Sequence, residues 1–176
     1  MMKRLAILFV AVAGCGPSPS PATPPPVEKS AAAEALSYKV PPEWVAEKPV
    51  STMRKAQYRV PDRQGKGGDA SLTLFYFGAS GFSLESNVDR WREQMGGADP
   101  NIEIVKGAAC KTTLVDIAGT YAGDAKDPPI EGARMLAGIV ETSQGPWYFK
   151  FVGPAATVDG WKDAYVEMLK RVRAIE

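Results

Sequence analysis

The chain has 176 residues, 45% of them apolar, and its 21 basic and 20 acidic residues leave a formal net charge of +1. That length suits one domain, and near-neutral charge without any cluster of Lys or Arg excludes a face built to clamp nucleic acid. The sequence contains no histidine, which excludes Ser-His-Asp and Cys-His nucleophile systems and histidine-bearing zinc sites, while leaving chemistry by paired carboxylates or lysine open.

Lys3 and Arg4 precede an unbroken apolar run, residues 5–13, which closes in Val12-Ala13-Gly14-Cys15. A basic start, a short apolar stretch and small residues at the cut are the parts of a secretory signal. The run is too short for a transmembrane helix, which needs about 20 residues. The order and spacing resemble the bacterial lipobox, in which the cysteine thiol receives a diacylglycerol before cleavage just ahead of it. The resemblance implies a lipoprotein signal peptide over 1–14 and lipidation at Cys15, with palmitate-type chains; a plain signal with an incidental cysteine is the other reading. Each buried methylene adds about 0.8 kcal/mol of membrane affinity, and two or more chains give stable anchoring. Gly16, where an aspartate would in some bacteria retain a lipoprotein at the inner membrane, points to the outer membrane facing the periplasm. Cleavage takes Lys3 and Arg4 from the 21 basic residues, leaving 19 against 20 acidic and a charge of −1. An acylated Cys15 leaves Cys110 alone, so no internal disulfide is expected and Cys110 reads as a small buried residue.

Residues 16–26 are Pro, Ser, Ala and Thr ending in Pro24-Pro25-Pro26, a composition that buries nothing and favours extended polyproline geometry. With 27–35 they form a disordered linker, so that 15–35 is the lipidated cysteine and its tether and 36–176 is the domain.

Within the domain, Tyr38-Lys39-Val40 reads as a short strand stopped by Pro41-Pro42, and Glu43-Trp44-Val45 restarts an extended segment. Residues 53–60 alternate, with Ala56, Tyr58 and Val60 on one face and Lys55, Gln57 and Arg59 on the other, the pattern of a half-buried strand. A turn rich in Gly and charge over 62–69 leads to the strand-forming run 70–77. After Gly78-Ala79-Ser80-Gly81, Ser83 caps a helix whose apolar residues Leu84, Val88, Trp91 and Met95 share one stripe, with Asp89, Arg90, Arg92 and Glu93 outside and Gly96-Gly97 as the stop. Four extended runs follow, at 102–105, 112–121, 134–142 and 147–152. A loop occupies 122–132, and Ser143-Gln144-Gly145-Pro146 turns a hairpin. A last helix begins near Asp159, with Trp161, Ala164, Tyr165, Met168, Leu169 and Val172 on its apolar stripe and Lys162, Lys170, Arg171 and Arg173 outward.

Hairpins plus two amphipathic helices, each needing a sheet to cover, predict a single α+β domain with an antiparallel sheet and a helix on one or both sides. The opening Val40-Pro41-Pro42 with Trp44, the order of elements, Tyr76-Phe77-Gly78, Gly81, Glu85-Ser86-Asn87 and Arg90-Trp91 resemble the PsbP/Mog-type fold. Photosystem extrinsic subunits, a nuclear-import factor and many bacterial lipoproteins share it, and the likeness to the last group is closest. The resemblance implies that fold over most of 36–176 and carries over no catalytic residue, since a fold does not fix a function.

Several residue sets carry a functional reading beside a structural one. Trp91 and Trp161 lie on helix stripes and read as core, whereas Trp44 and Trp147 have a better chance of exposure as ligand platforms. Gly65-Lys66-Gly67-Gly68 hints at phosphate cradling but lacks P-loop spacing and reads as a turn. Asp116, Asp124, Asp127 and Glu131 make calcium conceivable without any EF-hand spacing. Asn87 and Arg90, three apart on a helix, could form with Trp91 a buried polar cluster; the simpler reading is that Asn87 secures the Gly78–Gly81 loop.

No cofactor, metal or catalytic set is expected. The sequence points to a lipid-anchored cell-envelope protein whose domain is a binding or structural module, with the membrane and an envelope protein or small ligand as partners and no nucleic acid. The alternatives are a carboxylate-dependent enzyme or enzyme subunit acting on envelope polymers, and an assembly factor for a membrane complex.

Overall fold

Seven strands pair antiparallel into one sheet. A computed structural model describes residues 36–65, 67–78, 83–123 and 128–175; the signal segment, Cys15, the linker, Asp124 and Asp127 lie outside the described residues. The strands are β2 (Val45–Glu47), β3 (Arg54–Val60), β4 (Ala70–Tyr76), β5 (Asn101–Ile104), β6 (Thr112–Tyr121), β7 (Ile130–Thr142) and β8 (Gly145–Pro154). Across the sheet their order is β2-β3-β4-β8-β7-β6-β5. Helix α1 (Leu84–Gln94) carries the chain from β4 to the far edge at β5, and β5 to β8 then meander back to pair with β4. Helix α2 (Ala155–Lys170) follows β8.

Alternation along the central strands gives each face its own core. Leu114, Leu136, Val140, Phe149 and Phe151 pack under the stripe of α2, with Trp161, Tyr165, Met168 and Leu169. Val115, Ile117, Met135, Ala137 and Ile139 face α1 and meet Val88, Trp91 and Met95. The Ser83 hydroxyl accepts from the Ser86 N–H at 3.2 Å as the cap of α1, and Gly96 and Gly97 stop the helix at φ 73° and 83°. Only glycine adopts such values without strain.

The two faces are covered unequally. On the α2 side the segment 36–44 adds Leu36, Tyr38 and Trp44 to the cover, with Trp44 against Phe151 and Trp161 at 5.5 and 5.6 Å. On the other side α1 works alone among the described residues. A helix is about 10 Å across and strands lie about 4.8 Å apart, so α1 shades roughly two strands; on β3 and β4 the side chains of Arg54, Gln57, Arg59 and Phe75 stay partly or fully exposed, while Thr73 is buried.

Several expectations are corrected. Tyr38–Val40 is not a strand: β1 (Leu36–Ser37) pairs instead with β9 (Arg173–Ala174), and the Tyr38 ring packs edge-on against Phe149 at 5.7 Å. β7 starts at Ile130, taking in the end of the expected loop, because Tyr121 pairs with Ile130 past an irregularity after Gly119. α2 starts at Ala155, running straight on from Pro154 without a side-chain cap. Leu84 stays exposed, one turn beyond the buried part of the stripe. On β3 a bulge between Arg54 and Ala56 puts Arg54, rather than Lys55, on the face with Gln57 and Arg59. Arg54 then stands opposite Phe75, and Gln57 opposite Thr73.

Candidate functional site

The bare half of the α1 face is a groove of about 620 Å³ floored by β3, β4 and β8 and running into a second hollow of about 360 Å³ under the edge of α1. Register builds the floor in rows: Gln57, Thr73 and Lys150 lie side by side, as do Arg54, Phe75 and Tyr148. An antiparallel sheet can simply present such a face to water. Here, however, Val50, Met53 and Phe77 are exposed large apolar residues, and all three line the smaller hollow. Apolar exposure gathered in one concavity is the usual physical form of a ligand-binding surface in proteins.

Lys150 is the one cation in the apolar strand 147–152. Its Nζ donates to Gln94 Oε1 at 2.7 Å and to the Tyr121 hydroxyl at 3.1 Å, which fixes the ammonium between α1 and the end of β6. Arg54 donates from Nη1 to Gln57 Oε1 at 2.8 Å. Phe75 and Phe77 lie nearly parallel, 6.0 Å apart at 20°, and Phe77 leans on Tyr148 at 5.8 Å. Burial pushes the Tyr148 phenol above its ordinary pKa, against hydrogen bonding from Asn87 and the charge of Arg90. It is therefore neutral at physiological pH.

The structure brings Asn87 and Arg90 together on α1, with Arg90 lining the smaller hollow and Asn87 outside the lining of either. Asn87 Nδ2 donates to the Ser83 carbonyl at 2.8 Å, and Arg90 Nη2 donates to Asn87 Oδ1 at 2.5 Å. Arg90 is exposed, so the pair is no buried network; Trp91 is buried in the core beside Tyr148 at 6.3 Å and borders the same hollow as Arg90.

Two acids, Glu47 and Asp69, also border the groove, and both face Arg59, at 3.6 and 2.7 Å. The Asp62 backbone N–H and Arg59 hold the Asp69 carboxyl below its ordinary pKa, which suits a charged strut and not a general acid.

The other sequence candidates resolve into structure. Asp116 belongs to no loop of acids: Arg134 Nη2 reaches it at 2.5 Å and Lys162 Nζ at 2.9 Å, while Arg134 also binds Asp159. Lys162 is thus tied down and not simply outward. Burial acts to raise the Asp116 pKa, but hydrogen bonds from Arg134 and Lys162 outweigh it and hold the carboxyl below the usual range. Glu131 is exposed, and among the described residues no group of His, Cys, Asp and Glu is placed to hold a metal. The turn after β3 already contains its anion: Asp62 accepts from the N–H groups of Gln64, Gly67 and Gly68 at 2.8, 2.8 and 3.2 Å. Trp44 and Trp147, expected nearer the surface, are 4% and 1% exposed. Trp147 shares the inward face with Phe149 and Phe151, and Trp44 is folded under by the double proline before it. Cys110 is half-buried beside Val172.

Sequence reasoning missed Arg54, Phe75, Phe77, Tyr121 and Lys150 as a set. Lys150 had a signal: a lysine in an apolar strand, in phase with Tyr148 and Val152, must face a polar opening.

No protein-family model and no curated protein matches the chain. Among solved structures it is similar to cyanobacterial PsbP (CyanoP) from Synechocystis sp. PCC 6803, with a TM-score of 0.50 and 11% identity over 81% of this chain and 88% of that one. A protein of unknown function, PA94 from Pseudomonas aeruginosa, aligns with a TM-score of 0.45 and 9% identity over 76% of this chain and 99% of that one. At such identity the CyanoP likeness speaks for the fold alone: the domain has a PsbP-like α+β fold.

Proposed function

We propose that this is a cell-envelope protein held on the membrane through lipid on Cys15, whose domain is a non-catalytic binding module with the α1-side groove as its ligand-bearing surface. The observation that carries the binding half is the gathering of exposed Val50, Met53 and Phe77 in one concavity with Arg54, Arg90 and Lys150. The anchor half rests on the sequence of residues 1–15. An enzyme working through paired carboxylates fits less well, because Glu47 and Asp69 are engaged by Arg59.

The test is to titrate the isotope-labelled full chain with an envelope extract and follow amide resonances. Shifts gathered at Thr73, Arg90, Gln94 and Lys150 support the groove. Shifts confined to the α2 face, or none at all, contradict it.

A further inference from the structure

We infer that the outer edge of β5 pairs with the same edge of a second copy of this chain, joining two sheets across a twofold axis. β5 ends the sheet, all four of its residues are exposed, and among the described residues nothing pairs with its outer side. The Val105 N–H donates to the Thr112 carbonyl at 2.9 Å, one step on from the pairing of Ile104 with Thr113. Inward and outward backbone groups alternate along an antiparallel strand. Asn101 and Glu103 therefore bond to β6, while the N–H and C=O of Ile102 and Ile104 point outward. The same two isoleucines are 45% and 57% exposed, on the α1 face opposite Val115 and Thr113. An apolar edge with open backbone groups is a template for a further strand. The other edge of the sheet is blunted: β2 has three residues between Pro41-Pro42 and Pro49, and Glu47 accepts from Gln57 at 3.1 Å.

The fit of β5 to itself favours a second copy over a foreign strand. Outward residues must meet outward residues, which leaves few registers. With Ile102 opposite Ile102 of the copy, the two backbones exchange a pair of hydrogen bonds and the isoleucines touch over the axis. Asn101 then stands opposite Glu103 of the copy, an amide donor against a carboxylate. Pro100 has no N–H to donate, so the ladder stops there. Moving the copy by two residues sets Glu103 against Glu103, like charges face to face, which is unfavourable. Four residues a side make a small contact, so the association is weak and concentration-dependent.

The full chain is followed by sedimentation in mild detergent up to millimolar concentration, and a reversible monomer–dimer equilibrium is expected. Ile102→Lys, which sets two ammonium groups across the axis, weakens it at least about tenfold, while Val45→Lys on β2 leaves it unchanged. Both positions are exposed, so neither change threatens the fold. Cysteine trapping reads the register. With Asn101→Cys and Glu103→Cys together, mild oxidation yields a disulfide-linked dimer, because directly opposite Cα atoms in such a pair lie about 4.5 Å apart. Glu103→Cys alone stays at the level of the parent chain with its own cysteines. A monomer at every concentration, a dimer indifferent to Ile102→Lys, or cross-linking by Glu103→Cys alone would each overturn the assignment. So would an envelope extract that shifts the β5 amides of a monomeric chain, which would put a foreign strand on that edge.

Discussion

Asp116 sits at 11% side-chain exposure between Arg134 and Lys162, which bridge β7 and α2 to β6. Its carboxyl titrates below the unfolded value of about 4, held there by those two cations against the opposing effect of burial. A depressed carboxyl stabilises the fold fully above the unfolded pKa, and the contribution disappears as pH falls through the folded pKa. Asp116→Asn is therefore expected to destabilise the domain by about 1–3 kcal/mol near neutral pH, and the gap to the parent should close below about pH 4. Urea midpoints measured across that range check both the size and the sign. Tyr165 makes the matching connection deeper in. Its hydroxyl accepts from the Gly138 N–H at 2.9 Å and donates to the Phe149 carbonyl at 2.6 Å, tying α2 to two central strands. Nothing in the helical stripe distinguishes this tyrosine from a core residue, and the hydrogen bonds follow only from docking.

At the scale of elements, the position of α1 decides where the groove lies, and Gly119 decides the position of α1. A Cβ at Gly119 would stand 2.3 Å from the Met95 carbonyl oxygen, and the helix end is tied to the residue just past the same strand by the Ala122 N–H on Gln94 O at 2.8 Å. Gly119→Ala must push the helix off β6, with a cost of about 1–3 kcal/mol for overpacking. Hydrogen exchange should show α1 amides losing protection while those of α2 keep theirs; uniform loss would mean that α1 docks by other means. Local pattern made much of this architecture legible. The alternation of β3, the cap, stripe and double-glycine stop of α1, and the stripe of α2 all follow from spacing. The β3 bulge was not legible, since one extra residue has no signature, and it moves Arg54 into the groove in place of Lys55. Nor was β9, whose partner Leu36 lies at the other end of the domain. The burial of Trp147 could have been read, because it is in phase with Phe149 and Phe151.

Among the described residues, the open groove follows from covering one face with α2 plus the segment 36–44 and the other with α1. Strand alternation can say which side chains share a face, but not which face stays bare; that is why the candidate site emerged only from the fold. In the function proposed, lipid on Cys15 would hold the groove near a bilayer, where it could meet ligands of the envelope. Tritiated palmitate labelling of the parent chain and Cys15→Ala in cells tests that placement most directly. The parent is expected to carry label in the membrane fraction, and the variant to lose both the label and the membrane association. Equal labelling of the two would contradict a lipid anchor on Cys15.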